Sequence, residues 1–180
     1  MNGLFKNLNR LIFLFFMASF SHNIFSVTEF LGEVSIEGRS FSNEGFFNQA
    51  KFHSSLSVSP EIYIESDDLK KSFSFKPKFR KDSEDSERNL IDIQELHWII
   101  IGNIFETKIG IRKDFWGVTE TVHRVDIINQ TDFVENIDGE DKLGQPMINI
   151  SFERLNGTFD IYALLGFRER TFGGKKGRLR

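Results

Sequence analysis

The feature that most constrains this chain is its period. After residue 26, apolar and polar residues alternate one by one over most of the sequence, and no stretch repeats at the helical spacing of about 3.6 residues. A period of two sends successive side chains to opposite faces of an extended strand, so the pattern dictates sheet with one apolar and one polar face. Seven runs qualify. Phe30, Val34 and Ile36 alternate with Glu33, Glu37 and Arg39, and Phe52, Leu56, Val58, Ile62 and Ile64 with His53, Ser55, Ser57, Ser59 and Glu61. Phe73, Phe75 and Phe79 alternate with Lys76, Lys78 and Arg80, and Leu96, Trp98 and Ile100 with Glu95 and His97. Phe105, Ile109 and Ile111 alternate with Glu106, Lys108 and Arg112, and two further runs occupy 148–153 and 159–168.

Turn residues test these faces. Asn156-Gly157 suits a type I′ turn, which needs positive φ at both positions. A two-residue loop there pairs Phe152 with Ile161, Ile150 with Ala163 and Ile148 with Leu165, apolar to apolar throughout. Gly102-Asn103 similarly pairs Ile100 with Phe105, Trp98 with Thr107 and Leu96 with Ile109. A looser turn at Ser66–Leu69 sets Ile64 against Phe73, Ile62 against Phe75 and Val58 against Phe79. That register also sets Pro60 against Pro77, where two missing N–H groups predict a bulge or an unpaired patch.

Connections alternate in length. Those at 65–69, 102–103 and 155–157 are short, whereas 42–51, 81–90 and 114–145 are long or charged. Outer-membrane barrels sort their loops this way, with short periplasmic turns and long outside loops, and a soluble sandwich has no reason to. The expected fold is therefore all-β: an antiparallel transmembrane β-barrel, its N-terminal part of about seven strands spanning 27–180. A soluble secreted or periplasmic β-sandwich that binds ligand through its charged face is the alternative.

Residues 1–26 read as a signal peptide. Lys6 and Arg10 form a basic front, Leu11 to Phe20 an apolar run, and Ser26 or Ser21 a small residue at the cleavage point. The run is too short to span a membrane as a helix, which takes about 20 apolar residues. Its removal leaves 21 basic against 26 acidic residues, a balance that disfavours nucleic acid as a partner. Of the 21 Phe, six lie within 1–26 and fifteen remain, so the leader does not account for their abundance. Nine of the fifteen (30, 52, 73, 75, 79, 105, 152, 159 and 167) fall on apolar strand faces, as a lipid-facing surface requires.

In a barrel the polar face lines the lumen. Glu33, Glu37, Arg39, Lys76, Lys78, Arg80, Glu95, His97, Glu106, Lys108 and Arg112 are the pore-lining candidates, with a basic stripe on the third strand and an acidic one on the first. The connection 114–145 is too long for an idle link. By strand count it is the third outside loop, the place of the constriction loop in general porins. Its candidates are Trp116, His123, Arg124, Asp126, Asp132, Glu135, Asp138 and Asp141, an acidic set that favours cations or neutral solutes.

Residues 115–147, FWGVTETVHRVDIINQTDFVENIDGEDKLGQPM, together with the preceding IDIQELHWIIIGNIFETKIGIRK, resemble uncharacterised porin-like outer-membrane β-barrel proteins of Gram-negative, often marine, bacteria. The resemblance covers about 90–168. It implies a porin-like barrel and brings no known substrate or catalytic residue; family members are much longer than this chain.

Other chemistry finds little support. An EF-hand at 134–145 would put Val134 and Gln145 at its charged anchors and fails, although a looser Ca²⁺ site among Asp132, Glu135, Asp138 and Asp141 stays open. Gly173–Gly177 lacks the phosphate-loop spacing, and the chain has no Cys. No nucleophile–base pair is readable, and no cofactor, metal or enzymatic activity is expected. The expected partners are outer-membrane lipid, small polar solutes and further copies of the chain. Barrels carry an even number of strands from eight upward. Seven visible strands, and an end at Gly-Lys-Lys-Gly-Arg-Leu-Arg without a terminal aromatic strand, therefore predict part of a longer barrel.

Overall fold

The structure, a computed structural model, describes residues 25–115, 127–136 and 138–178. Seven strands form one sheet: β1 (Phe25–Ser40), β2 (Phe52–Ser66), β3 (Lys71–Asp82), β4 (Leu90–Ile101), β5 (Phe105–Arg112), β6 (Gln145–Arg154) and β7 (Gly157–Leu164). They follow one another in chain order, each pair antiparallel, and the sheet is not closed: β1 and β7 are its edges. A single 3₁₀ turn, Ser86–Arg88, joins β3 to β4. Among the described residues there is no α-helix.

The β2–β3 register is the expected one, with Ile64 on Phe73, Ile62 on Phe75 and Val58 on Phe79. Pairing lapses between Val58 and Ile62, where Pro60 and Pro77 supply no N–H to the ladder. The disturbance passes to the next pair, where Lys76 faces Glu95 but Pro77 faces Ile93, leaving Gln94 as an extra residue.

Both tight hairpins fold one residue away from the expected turn. Leu155 and Asn156 occupy the β6–β7 turn, and Gly157, with φ +139°, is the first residue of β7. Phe152 therefore faces Phe159, not Ile161, and Ile148 faces Ala163. In the β4–β5 hairpin Gly102 N–H donates to the Phe105 carbonyl at 2.8 Å, so Asn103 and Ile104 form the turn. Trp98 faces Ile109 and Leu96 faces Ile111. Moving a two-residue turn by one position shifts the register by two and leaves every side chain on its own face. Alternation therefore fixes the face but not which of these registers forms. In the β4–β5 pair a glycine also takes part: Gly110 (φ +137°) lies opposite His97, and a Cβ there would stand 2.1 Å from the Leu96 carbonyl oxygen. β7 ends at Leu164, so Phe167 lies beyond the strand expected to carry it.

The packing is inverted relative to a soluble sheet. Along β2, Phe52, Leu56 and Val58 are exposed while His53, Ser55, Ser57 and Ser59 are buried. Ile36 is 83% and Phe30 76% exposed. Buried apolar side chains are confined to Ile128, Val134, Leu143 and Met147 among the described residues, against many buried polar ones. The covered side is thus the polar face. Short connections lie at one end of the sheet; the described parts of the long ones, with residues 165–178 after β7, gather at the other and fold over that face.

Candidate functional site

The ladder carries one face from strand to strand. Glu37 pairs with Ser55, Ser55 with Asp82, Ser74 with His97, His97 with Gly110 and Lys108 with Asn149. Followed through these registers, all eleven strand candidates, from Glu33 to Arg112, share this polar face. Their charges meet close neighbours: Lys76 pairs with Glu61 at 3.2 Å, Lys108 with Glu106 at 2.5 Å, and Arg112 with Asp114 at 2.6 Å. Glu95 stands 3.8 Å from His97, and Glu37 is hydrogen-bonded to Arg39. The acidic and basic stripes on β1 and β3 flank β2 in one sheet, with exposed Glu33 opposite Ser59.

The long connection is pinned across this face. Asn129 donates to the carbonyls of Arg112 and Leu143, both at 2.8 Å, while its Oδ1 accepts from Asp114 N–H at 2.9 Å. Asp132 N–H bonds to the Asp141 carbonyl at 2.8 Å, and the Asp132 carboxylate accepts from Thr171 Oγ1 at 2.5 Å. Glu135 reaches the basic stripe, with one carboxylate oxygen on Lys78 and the other on Arg80, each at 2.6 Å. Asp138 stays exposed and accepts from Asn136 at 2.6 Å. Trp116, His123, Arg124 and Asp126 lie outside the described residues. No three His, Asp or Glu side chains among the described residues gather closely enough to hold a metal ion, so the four loop carboxylates form no Ca²⁺ cluster there.

The residues that tie this assembly together carry no motif. Arg88, on the 3₁₀ turn, donates to Asp82 at 3.0 Å, Glu37 at 2.8 Å and the Val134 carbonyl at 2.5 Å. Asp85 caps the same turn and accepts from Gly174 N–H at 2.9 Å; Gln49 holds the Gly177 carbonyl at 2.6 Å. The Gly173–Gly177 run is therefore an anchoring turn, in which a Cβ on Gly174 or Gly177 would fall 2.4 Å from the Asp85 carboxylate and force it to shift. Asp85 just before a short helical turn is a readable capping signal; nothing local marks Arg88 or Asn129.

Burial alone pushes the Glu135 carboxyl up, but the hydrogen bond and charge of Lys78, with the charge of Arg80, outweigh it and hold the group below its ordinary 4.5. Burial and the Glu135 charge push Asp141 the other way. A carboxyl lowered in the folded state contributes stability above its unfolded pKa and loses it as pH falls through the folded one. The segment 127–136 is therefore expected to stay protected at neutral pH and to become protease-sensitive below about pH 4.5. Glu135→Gln is expected to show that sensitivity already at pH 7, and unchanged digestion across this range refutes the tether.

No protein-family model matches the chain, and neither a curated protein nor a solved structure resembles it.

Proposed function

We propose that the chain contributes seven strands to an exported outer-membrane β-barrel that passes small polar solutes by a porin-like route. The observation that carries this reading is the inverted packing: an exposed apolar face rich in Phe, Ile and Val, and a covered face of serines, histidine and charged groups. A lipid-exposed barrel has that distribution, with hydrocarbon against the outer face and water or folded loops within. A soluble sandwich would cover the apolar face with a second layer, and among the described residues none packs there. Loop asymmetry and the leader-like 1–26 agree with it. Open edges at β1 and β7 are untenable in hydrocarbon, so further strands complete the sheet, whether from the same chain or from other copies. The segments folded over the polar face narrow the passage.

The test is where the protein goes and what it does there. It is expected to fractionate with the outer membrane, to run at different positions on a gel before and after boiling, and to give stepwise conductance in planar bilayers. Recovery from the soluble periplasm without conductance overturns the reading in favour of a secreted β-sandwich.

A further inference from the structure

We infer that the charged cavity at the loop end of β1–β3 is an oxyanion subsite, taking the carboxylate or phosphate group of a small solute. This deepens the channel reading by naming a solute class, and rests on that reading for its consequence in transport. The cavity, of about 330 Å³, lies between the polar face and the segments around Glu135 and Gly173–Arg178. Its walls include Arg80, His53 and Arg178.

What marks it is a surplus of buried nitrogen. The Arg80 side chain is only 7% exposed; its Nη2 serves Glu135, but Nε and Nη1 are buried with no partner. His53 is 4% exposed, its ring edge-on to Phe41, and its Nε2 is also unpartnered. Arg178 lies 4.3 Å over the Phe41 ring and donates from Nη2 to the Asn43 carbonyl at 2.6 Å, leaving Nη1 buried and unmet. Three of the four carboxylates on the same walls are engaged: Glu37 by Arg88, Asp85 by Gly174, and Glu135 by Lys78 and Arg80. The fourth, Asp141, is pushed by burial and by the Glu135 charge towards its neutral form, which weakens its opposition to an anion. Three of the four buried unpartnered atoms at this cavity, Arg80 Nε and Nη1 and Arg178 Nη1, are guanidinium nitrogens, which can only donate; the fourth is a ring nitrogen of His53. Leaving such donors buried and unmet is costly, so the group that completes the site is one rich in acceptors. The acidity of the loop sequence favours cations or neutral solutes instead. The difference arises because Glu135 is consumed by the basic stripe whereas the arginines keep donors to spare.

The experiment titrates inorganic phosphate into the full-length protein in detergent micelles, followed by ³¹P line width, with acetate as competitor. Saturable binding displaced by acetate is expected, weakened about tenfold or more in Arg80→Gln and in Arg178→Gln, since each removes a charge-assisted donor. Should Arg80→Gln misfold through loss of its bond to Glu135, Arg178→Gln carries the comparison alone. Phosphate that never saturates on the wild type, or affinity unchanged in a folded variant of either arginine, overturns the subsite. Bilayer conductance separates the two claims. A wild type that conducts without binding phosphate sinks the subsite alone, and one that binds without conducting sinks the channel and keeps the subsite.

Discussion

Val34→Lys is expected to cost about 2–4 kcal/mol of folding free energy in lipid vesicles, as a cation placed near the midplane on the outer face of a barrel does. Val34 lies mid-strand on β1 opposite Val58, and its side chain is 69% exposed on the apolar face. On a soluble protein the same exposure predicts the opposite. A substitution at an open surface position, away from caps and buried networks, stays within about 0.5 kcal/mol. The measurement is urea-driven unfolding from vesicles, wild type against variant. Ile36→Lys sharpens it: Ile36 is on the same face two residues nearer the loop end, about 7 Å along the strand, so its penalty should be smaller. Two near-zero values would mean that water, not lipid, meets this face.

Much of this fold is legible in the sequence because a sheet with two unlike faces writes its period directly into the chain. The seven strands, their order and the polar set from Glu33 to Arg112 follow from alternation and short turns alone. The proline clash between Pro60 and Pro77 was equally readable, since a residue without an N–H must interrupt a ladder wherever it falls. Registers at Asn103-Ile104 and Leu155-Asn156 were not. Neither Leu155 nor Asn156 has positive φ; Gly157 carries it instead, so the hairpin uses the glycine one place after the turn centre. The site was legible only as a face. That Glu135 would find Lys78 and Arg80, or that Arg88 would bind a loop carbonyl nearly fifty residues away, depends on how the long connections fold back. Those connections have no period to read.

Arg88→Ala is the substitution expected to open that folded-back assembly. The guanidinium is 7% exposed and joins three parts of the chain: Asp82 at the end of β3, Glu37 on β1, and the Val134 carbonyl of the long connection. Breaking a buried ion pair by removing one partner costs about 3–5 kcal/mol, because the remaining charge stays buried without compensation. Here the low end applies. Glu37 keeps Arg39, and Asp82 keeps the backbone N–H groups of Glu84 and Asp85, so neither carboxylate is wholly abandoned. The Val134 carbonyl is less fortunate, and the segment it belongs to should open before the sheet unfolds. Arg88→Ala is therefore expected to lower global stability by about 3 kcal/mol and to expose 127–136 to protease at denaturant levels that leave the strands intact. Arg88→Lys should recover only part of this, since one ammonium cannot span two carboxylates and a carbonyl as the planar fork does. The effects on the exposed apolar face and on the covered polar face also separate. Val34→Lys should leave loop protection unchanged and Arg88→Ala should remove it, and their stability losses should add in the double variant, because the two sites share no partner. A double variant far from additive would mean that the covered face and the exposed face do not act as independent surfaces, and the sheet could not then be the two-sided wall its sequence describes.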